Sequence, residues 1–181
     1  MSPFTTDKNW TLFLDRDGVI NHQITNGYVN TWQDFKFYEG TQEALQLFAA
    51  TFKYIIVITN QRGVGRGITK MDDLYFVHEK MTEQINTAGG RIDGIYFCTD
   101  VEKDSTNRKP NTGMGLQARR DFPAIDFNKS VMVGNNFSDM EFGRNIGAKT
   151  IFLSTTNLNV DPSDKRIDAV YNSLLDFARS L

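Results

Sequence analysis

Two aspartates, Asp15 and Asp17, stand directly after an apolar run at residues 11–14 and directly before Gly18. Such a run is typical of a buried strand, and parallel sheets bind ligands at the carboxyl ends of their strands. Side chains two positions apart on an extended chain point to the same side, so both carboxylates can face one substrate or one cation. Residues 15–18 are also an ordinary turn sequence, so this segment alone leaves both interpretations open.

Polar residues also end or follow three later segments of the chain. They are Thr59 after residues 54–58, Lys109 before Pro110, and Asn135 and Asp139 after residues 131–133. The proline restricts the residue before it to extended or turn conformations. Carboxylates, a hydroxyl, an ammonium group and an amide oxygen that meet at strand ends would form a site for Mg²⁺ and phosphate.

In their order along the chain, these segments resemble the motif set of the haloacid dehalogenase superfamily of phosphohydrolases. The matching segments are residues 15–19, 59–60, Lys109 and 134–139, and the resemblance spans residues 11–153. Within the superfamily the chain is most similar to the histidinol-phosphatase and D-glycero-D-manno-heptose 1,7-bisphosphate phosphatase branch. The strings that carry this likeness are residues 15–21, 59–67 and 108–114.

The resemblance implies a Mg²⁺-dependent phosphatase that hydrolyses a small phosphomonoester through an aspartyl-phosphate intermediate. A sugar phosphate, a sugar bisphosphate or histidinol phosphate is the implied substrate class. Asp15 is then the nucleophile, and Asp17 protonates the leaving group and later activates water. The full implied site has catalytic Asp15, Asp17, Thr59 and Lys109, substrate-binding Asn60, Gln61, Arg66 and Arg108, and metal-binding Asp15, Asp17, Asn135 and Asp139.

Two departures from the family pattern concern metal ions. Most members have an aspartate where this chain has Asn135, so we expect weaker Mg²⁺ binding, with Asp139 as a compensating ligand. Heptose bisphosphate phosphatases also carry a small zinc loop of Cys and His ligands before the string at 108–110. Here that loop keeps only Cys98 as a ligand. Asp100, Ser105 and Asn107 stand where the other ligands would fall. One cysteine does not make a structural zinc site, so no zinc is expected.

Strand-like and helix-like segments alternate, which predicts an α/β fold: a Rossmann-like three-layer α/β/α sandwich with a mainly parallel sheet. The predicted strands are 11–14, 54–58, 92–97, 131–133 and 150–153, and the predicted helices are 41–48, 71–87, 114–122 and one at the end of 167–181. Thr41 is the expected cap of the first helix. The whole chain, residues 1–181, is expected to be one phosphohydrolase domain.

Neither long loop has room for a cap domain. The loops are residues 21–39 and 99–108, so we expect a minimal cap and an open site. Tyr28, Val29 and Trp32 are the candidates for a flap over the substrate. Trp32 is more simply explained as loop packing.

Composition narrows the classes of partner and the cellular setting. The chain has 181 residues, one cysteine and a formal net charge of −2, which offers no general attraction to nucleic acid or anionic lipid. No apolar run is long enough to span a bilayer, and the N-terminal residues show no signal peptide. We therefore expect a cytoplasmic monomer that acts on a small phosphorylated molecule, with neither nucleic acid nor membrane as a partner.

Several questions stay open at this point. Residues 63–67 either cradle a second phosphate or only turn the chain, and Arg66 is a candidate for a distal anionic group. We expect Arg62 to be a solvated loop residue. A polynucleotide 3′-phosphatase is the alternative function, because a similar string at 59–67 occurs in that branch. A non-catalytic phosphate-binding relative is the other alternative, and Asn135 is its only support.

Overall fold

A computed structural model describes residues 5–181 and shows strands alternating with helices along the chain. The strands are β1 (Thr11–Leu14), β2 (Tyr54–Asn60), β3 (Gly94–Cys98), β4 (Ser130–Gly134), β5 (Lys149–Leu153) and β6 (Ala169–Tyr171). The helices are α1 (Thr41–Thr51), α2 (Arg62–Gly65), α3 (Met71–Thr87), α4 (Gly113–Asp121), α5 (Phe137–Ile146) and α6 (Leu174–Ser180). Residues 1–4 lie outside the described residues. They belong to the expected domain and to the N-terminal segment in which we expect no signal peptide.

Within the described residues, the strands form one six-stranded sheet in the order β3-β2-β1-β4-β5-β6, and every neighbouring pair is parallel. Strand β1 lies between β2 and β4, with Leu14 aligned to Val57 on one side and Val133 on the other. Parallel neighbours end at the same edge, so the residues after β1, β2 and β4 lie side by side. This edge carries the polar segments described above.

Alternate strand residues face opposite sides of the sheet and build two apolar layers. Leu12 and Leu14 pack with helices α1, α3 and α6, whereas Phe13 packs with helices α4 and α5. Every residue of β1 and β4 is buried, and β2 is buried except at its two ends, as expected for a parallel sheet covered on both faces. The result is the predicted α/β/α sandwich.

Several predicted boundaries shift and several elements were not predicted. Strand β3 begins at Gly94 rather than at residue 92, and α2, α5 and β6 are additional. Thr41 is not the cap of α1: Gly40 stands at the N-cap with φ 75°, and the buried Thr41 hydroxyl has no hydrogen-bond partner among residues 5–181. A left-handed backbone favours glycine, which explains this choice of residue.

The segment between β1 and α1 contains no cap domain within residues 15–40. It holds only one turn of 3₁₀ helix, Trp32–Asp34, and isolated bridges at Asn21. Trp32 stacks on Phe35 with ring centroids 4.9 Å apart, which is ordinary loop packing. No helix in the described part of the chain is both long and apolar enough to cross a bilayer.

Candidate active site

A cleft of about 240 Å³, here called the main cleft, opens at the carboxyl edge of β1, β2 and β4. It is lined by Asp15, Asp17, Gln23, Ile24, Gly27, Tyr28, Val29, Thr59, Asn60, Arg62, Arg108, Lys109, Asn136, Ser138 and Asp139. Asp15 extends the pairing of β1, since its N–H donates to the Val133 carbonyl at 3.0 Å. The sheet register therefore fixes where this carboxylate lies.

Lys109 joins two carboxylates at the floor of the main cleft. Its Nζ lies 2.9 Å from Asp15 Oδ1 and 2.7 Å from Asp139 Oδ1, and it also donates to the Ile58 carbonyl at 2.8 Å. All three charged side chains are buried. Two carboxylates and one ammonium leave this buried cluster one positive charge short of neutrality.

The pKa values of the cluster reflect that missing charge. Burial raises the pKa of Asp15 to about 7 against the opposing charge of Lys109, and the Asp139 carboxylate adds to the rise. Burial alone would lower the pKa of Lys109, but the charges of Asp139 and Asp15 outweigh it and raise that pKa. Lys109 therefore stays charged, and Asp15 is the group that a further cation would convert to its ionised form.

Asp17 is held as a carboxylate by three neighbouring side chains. Arg16 Nη2 lies 2.9 Å from both of its oxygens, Asn21 Nδ2 lies 2.9 Å from Oδ1, and Gln61 Nε2 lies 3.0 Å from Oδ2. Burial would raise the pKa of Asp17, but the Arg16 charge and these hydrogen bonds outweigh it and lower the pKa below its usual value.

Two residues expected to bind substrate, Asn60 and Gln61, also use their side-chain amides to hold other site residues. Asn60 accepts from the Lys109 N–H at 3.0 Å and donates to the Lys109 carbonyl at 3.2 Å, although it also lines the main cleft. Gln61 is buried and lies outside the lining; its Nε2 donates to Thr59 Oγ1 at 2.9 Å as well as to Asp17. These contacts connect the end of β2 to Lys109 and to the first motif.

Arginines surround the outer part of the site. Arg108 lines the main cleft, whereas Arg66 lines an adjoining hollow of about 520 Å³, here called the side cleft, where its Nη1 donates to the Tyr28 hydroxyl at 2.8 Å. Arg62 is not the solvated loop residue we expected. It is the first residue of α2, it lines both clefts, and its buried Nε has no hydrogen-bond partner among residues 5–181.

Asn135 lies beneath Gly18, outside the lining of the main cleft. Its Nδ2 donates to Thr156 Oγ1 at 2.8 Å and to Gln23 Oε1 at 3.2 Å. Its Oδ1 is buried, and within residues 5–181 it has no hydrogen-bond partner. A buried acceptor without a partner is costly, and a cation would satisfy it.

Asp139 has a structural role besides its contact with Lys109. Its Oδ2 accepts from the N–H groups of Asn135 at 3.2 Å and Asn136 at 3.0 Å at the start of α5. Among the described residues, no group of three or more Asp, Glu, His or Cys side chains is arranged to hold a metal ion. A metal site here would therefore use amide or main-chain oxygens together with carboxylates.

Some lining residues were not identified from the sequence. Asn136 and Ser138 lie inside the fourth motif, so their positions in that motif were an available signal. Gln23 comes from the loop after β1 and reaches Asn135 across 112 residues, a contact that no local pattern indicates. Tyr28 and Val29, expected at a flap, do line the main cleft.

The family model that matches this chain and two relatives of the chain are all described as phosphatases. The family model described as polynucleotide kinase 3 phosphatase matches residues 12–172. A Mycobacterium bovis D-glycero-alpha-D-manno-heptose-1,7-bisphosphate 7-phosphatase is 35% identical over 93% of this chain and 90% of its own length. The protein of the same name from Burkholderia mallei is 40% identical over 81% of this chain and 80% of its own.

Solved structures agree on the fold. The D,D-heptose 1,7-bisphosphate phosphatase from B. bronchiseptica, crystallised with magnesium and phosphate, superimposes with a TM-score of 0.85 at 24% identity, covering 94% of this chain and 97% of that one. The corresponding protein from Burkholderia thailandensis gives a TM-score of 0.68 at 27% identity, covering 94% and 97%. The chain therefore belongs to the polynucleotide kinase 3 phosphatase family and, among phosphoric monoester hydrolases, to the heptose bisphosphate phosphatase branch.

Proposed function

We propose that this phosphatase removes one phosphate from a heptose 1,7-bisphosphate or a closely similar sugar bisphosphate, with Mg²⁺ as cofactor. The observation that carries the proposal is the pair of joined clefts. The main cleft holds the carboxylates and Lys109, and the side cleft adds Arg66, with Arg62 bordering both. A substrate with an anionic group at each end fits this distribution of charge.

The residues present fit a magnesium ion. The buried Asp15, Asp139 and Lys109 cluster is one positive charge short, and the Asn135 Oδ1 is a buried oxygen without a partner. We propose that Asp15, the Asp17 main-chain carbonyl and Asn135 hold the ion, with Asp139 contributing directly or through water. Bound there, Mg²⁺ would neutralise the repulsion between carboxylate and phosphate and polarise the phosphoryl oxygens.

In the proposed reaction, Asp15 attacks phosphorus in line with the leaving oxygen. A new bond forms between its carboxylate oxygen and phosphorus, and the bond to the leaving oxygen breaks with both electrons going to that oxygen. Asp17 supplies the proton that the leaving oxygen takes up. Because the pKa of Asp17 is low in the free protein, Asp17 first takes this proton from the substrate monoanion, whose second pKa is about 6, and then passes it to the leaving oxygen.

The second half of the reaction reverses the role of Asp17. As a carboxylate it takes a proton from water, which attacks the aspartyl phosphate and releases inorganic phosphate and free Asp15. Thr59 and the Asn60 N–H would bind the phosphoryl oxygens, and Lys109 would balance their charge. The main-chain hydrogen bonds of Lys109 to Asn60 support this arrangement, because they fix the lysine relative to the end of β2.

A polynucleotide 3′-phosphatase is the second candidate function, because the matching family model carries that description. Against it, the formal net charge of −2 provides no general attraction for a phosphate backbone. A non-catalytic phosphate-binding protein is less well supported, since Asp15, Asp17, Thr59 and Lys109 all line the main cleft.

We also propose that residues 1–181 form one domain that works as a monomer in the cytoplasm. A single free cysteine, Cys98, suits a reducing compartment. Helices α1 and α6 pack together against the same sheet face, which ties the C-terminal part of the chain to its N-terminal half. Light scattering of the purified protein would measure the mass in solution and so test the monomer.

The test is phosphate release from a panel of substrates at increasing Mg²⁺. The panel contains both anomers of heptose 1,7-bisphosphate, fructose 1,6-bisphosphate, histidinol phosphate and a 3′-phosphorylated oligonucleotide, with Asp15→Asn as the inactive control. We expect the heptose bisphosphate to give the highest kcat/KM. Preference for the oligonucleotide would establish the second candidate, and phosphate binding without any turnover would establish a non-catalytic protein.

A further inference from the structure

We propose that His78 is a positioning residue for this reaction: from helix α3 it fixes the guanidinium of Arg16, which in turn fixes the carboxylate of Asp17. The inference rests on the proposed role of Asp17 as the acid that protonates the leaving group. His78 is absent from the lining of the main cleft, so it acts through Arg16 and not by touching substrate.

Arg16 is a fully buried charge whose side chain faces away from solvent and toward Asp17. Its relative exposure is 0%, and it is the largest fully buried side chain described in the chain. Nη2 lies 2.9 Å from each oxygen of Asp17, and Nε lies 3.3 Å from Oδ1. A buried guanidinium is tolerated only when its N–H groups find acceptors, and Asp17 leaves Nη1 still to be satisfied.

His78 supplies the acceptor for Nη1. Its Nε2 lies 3.1 Å from Arg16 Nη1, although the two residues are 62 positions apart. Arginine has only donors, so Nε2 must carry the lone pair and Nδ1 the proton. Burial and the adjacent Arg16 charge lower the pKa of His78 to about 3, which agrees with a neutral ring.

The ring itself is held in place by the core. His78 is 5% exposed and its ring centroid lies 5.7 Å from that of Phe97, on β3. The neighbouring α3 residues Val77, Met81 and Ile85 are buried against the sheet. The acceptor for Arg16 is therefore attached to a rigid helix, and the angle of the guanidinium is set by packing on α3.

Asn21 and Gln61 also donate to Asp17, but each contacts one oxygen, whereas Arg16 contacts both. Without the His78 acceptor, Nη1 would be a buried charged donor with no partner. The guanidinium would then rotate to find one and lose its two-oxygen contact with Asp17. The carboxylate would keep its place in the chain but lose the orientation needed to reach the leaving oxygen.

This coupling makes a prediction about the leaving group. A sugar alkoxide leaves only if it is protonated, whereas p-nitrophenolate is stable enough to leave without a proton. A misplaced Asp17 should therefore slow attack on the sugar ester and spare the aryl ester. The ratio kcat/KM isolates this first chemical step, because it does not include hydrolysis of the aspartyl phosphate.

The experiment compares His78→Leu, His78→Gln and Asp17→Asn on heptose 1,7-bisphosphate and p-nitrophenyl phosphate. We expect His78→Leu to lose about tenfold or more in kcat/KM on the sugar ester and to stay within about twofold on the aryl ester. His78→Gln should keep most of the sugar-ester kcat/KM of the unaltered protein, because the glutamine Oε1 can accept from Arg16 Nη1 as the His78 Nε2 does. Inhibition by inorganic phosphate should not change in either His78 variant.

The outcomes separate the inference from the proposed function. Equal losses on both esters in His78→Leu, or no loss on either, would overturn the positioning role, provided that Asp17→Asn itself discriminates between them. If Asp17→Asn slows both esters equally, the acid role of Asp17 fails and the role of His78 fails with it. If His78→Leu does not fold, the test rests on His78→Gln. A folded His78→Gln variant whose ratio of kcat/KM on the sugar ester to kcat/KM on the aryl ester differs from that of the unaltered protein would then overturn the inference.

Discussion

Gly18 and Asn135 lie so close together that no side chain fits between them. A Cβ on Gly18 would lie 2.5 Å from Asn135 Cγ, and Gly18 has φ 89°, a left-handed conformation that other residues rarely adopt. Asn135 cannot move aside cheaply, because Thr156 and Gln23 hold its Nδ2. The glycine after the two aspartates therefore allows the first and fourth motifs to meet.

The first prediction is that Gly18→Ala is destabilising well beyond its backbone strain. We expect a loss of unfolding free energy of about 2–5 kcal/mol, from strain of about 1–2 kcal/mol plus overpacking of about 1–3 kcal/mol. Gly67→Ala is the matched control, since Gly67 has φ 69° but no atom within 4 Å of the added Cβ. Urea unfolding measures both, and equal losses would show that the contact with Asn135 is unimportant.

A second prediction follows from the raised pKa of Asp15. Its pKa rises from 3.8 to about 7 on folding, so its contribution to stability is fully present below about pH 4 and is lost as pH rises to 7. Asp15→Asn removes the cost of ionising this group. Without metal at pH 8, we expect the variant to be more stable than the unaltered protein by on the order of 1–4 kcal/mol.

The pH dependence and the metal dependence check that explanation together. In chemical denaturation with EDTA, the stability difference should be absent near pH 4, grow up to pH 7 and then level off. Added Mg²⁺ should stabilise the unaltered protein more than Asp15→Asn and so narrow the gap. Asp104→Asn, an exposed position, is the control and should change little. A gap that does not vary with pH would rule out ionisation of Asp15 as its cause.

The sequence indicated the edge of the sheet where polar residues gather, because strand ends are visible as breaks in apolar runs. Parallel pairing then brings those ends together, as Asp15 and Thr59 show. Helix α5 was not predicted, because Asp139 was considered only as a ligand. In the structure its carboxylate also forms a capping box with Asn136 at the start of that helix.

Contacts between distant parts of the chain are what the sequence did not reveal. Arg16 looked like a spacer between two aspartates, yet it is fully buried and paired with His78. Arg62 was expected to be a solvated loop residue, yet it lies in α2 and lines both clefts. In each case the side chain's surroundings depend on the packing of a second element, which local residue patterns do not encode.

A third prediction concerns the loop after β3, where we expect no zinc site. Ser105 Oγ donates to Asp100, accepts from the Asn107 N–H at 3.3 Å and lies 3.9 Å from Cys98 Sγ. We expect these hydrogen bonds to hold the loop, so that Ser105→Ala costs about 1 kcal/mol of unfolding free energy. Zinc added to the metal-free protein should leave the melting temperature unchanged. Zinc bound at a stoichiometric ratio and lost in Cys98→Ala would contradict this account.

The fourth prediction tests the side cleft as the place of the second phosphate. Arg66→Met should raise KM for heptose 1,7-bisphosphate about tenfold to a hundredfold, since a charge-assisted hydrogen bond to phosphate contributes about 1.5–3 kcal/mol. The same variant should leave KM for p-nitrophenyl phosphate unchanged. Arg120→Met removes an equal charge from an exposed position on α4 and is the control. Equal effects of Arg66→Met on both substrates would place the second phosphate elsewhere.

The fifth prediction concerns Asn135, the neutral residue at the proposed metal site. Asn135→Asp adds a buried negative charge beside a cluster that is already one positive charge short. Without metal, the variant should therefore be less stable by about 1–3 kcal/mol. With metal the sign should reverse, because Mg²⁺ prefers carboxylate oxygens, and we expect roughly tenfold tighter Mg²⁺ binding in calorimetry.

Asn136→Asp is the control for the charge introduced at residue 135. Asn136 is the next residue, stands at the N-cap of α5 and lines the main cleft, whereas the three atoms nearest to a Cβ on Gly18 all belong to Asn135. It adds the same charge a few ångströms from the proposed ligands, so it measures general electrostatic attraction alone. If both variants tighten Mg²⁺ binding equally, Asn135 is not a ligand. If only Asn135→Asp tightens Mg²⁺ binding and also loses stability without metal, residue 135 is a metal ligand. Its amide then binds the ion less tightly than a carboxylate at the same position.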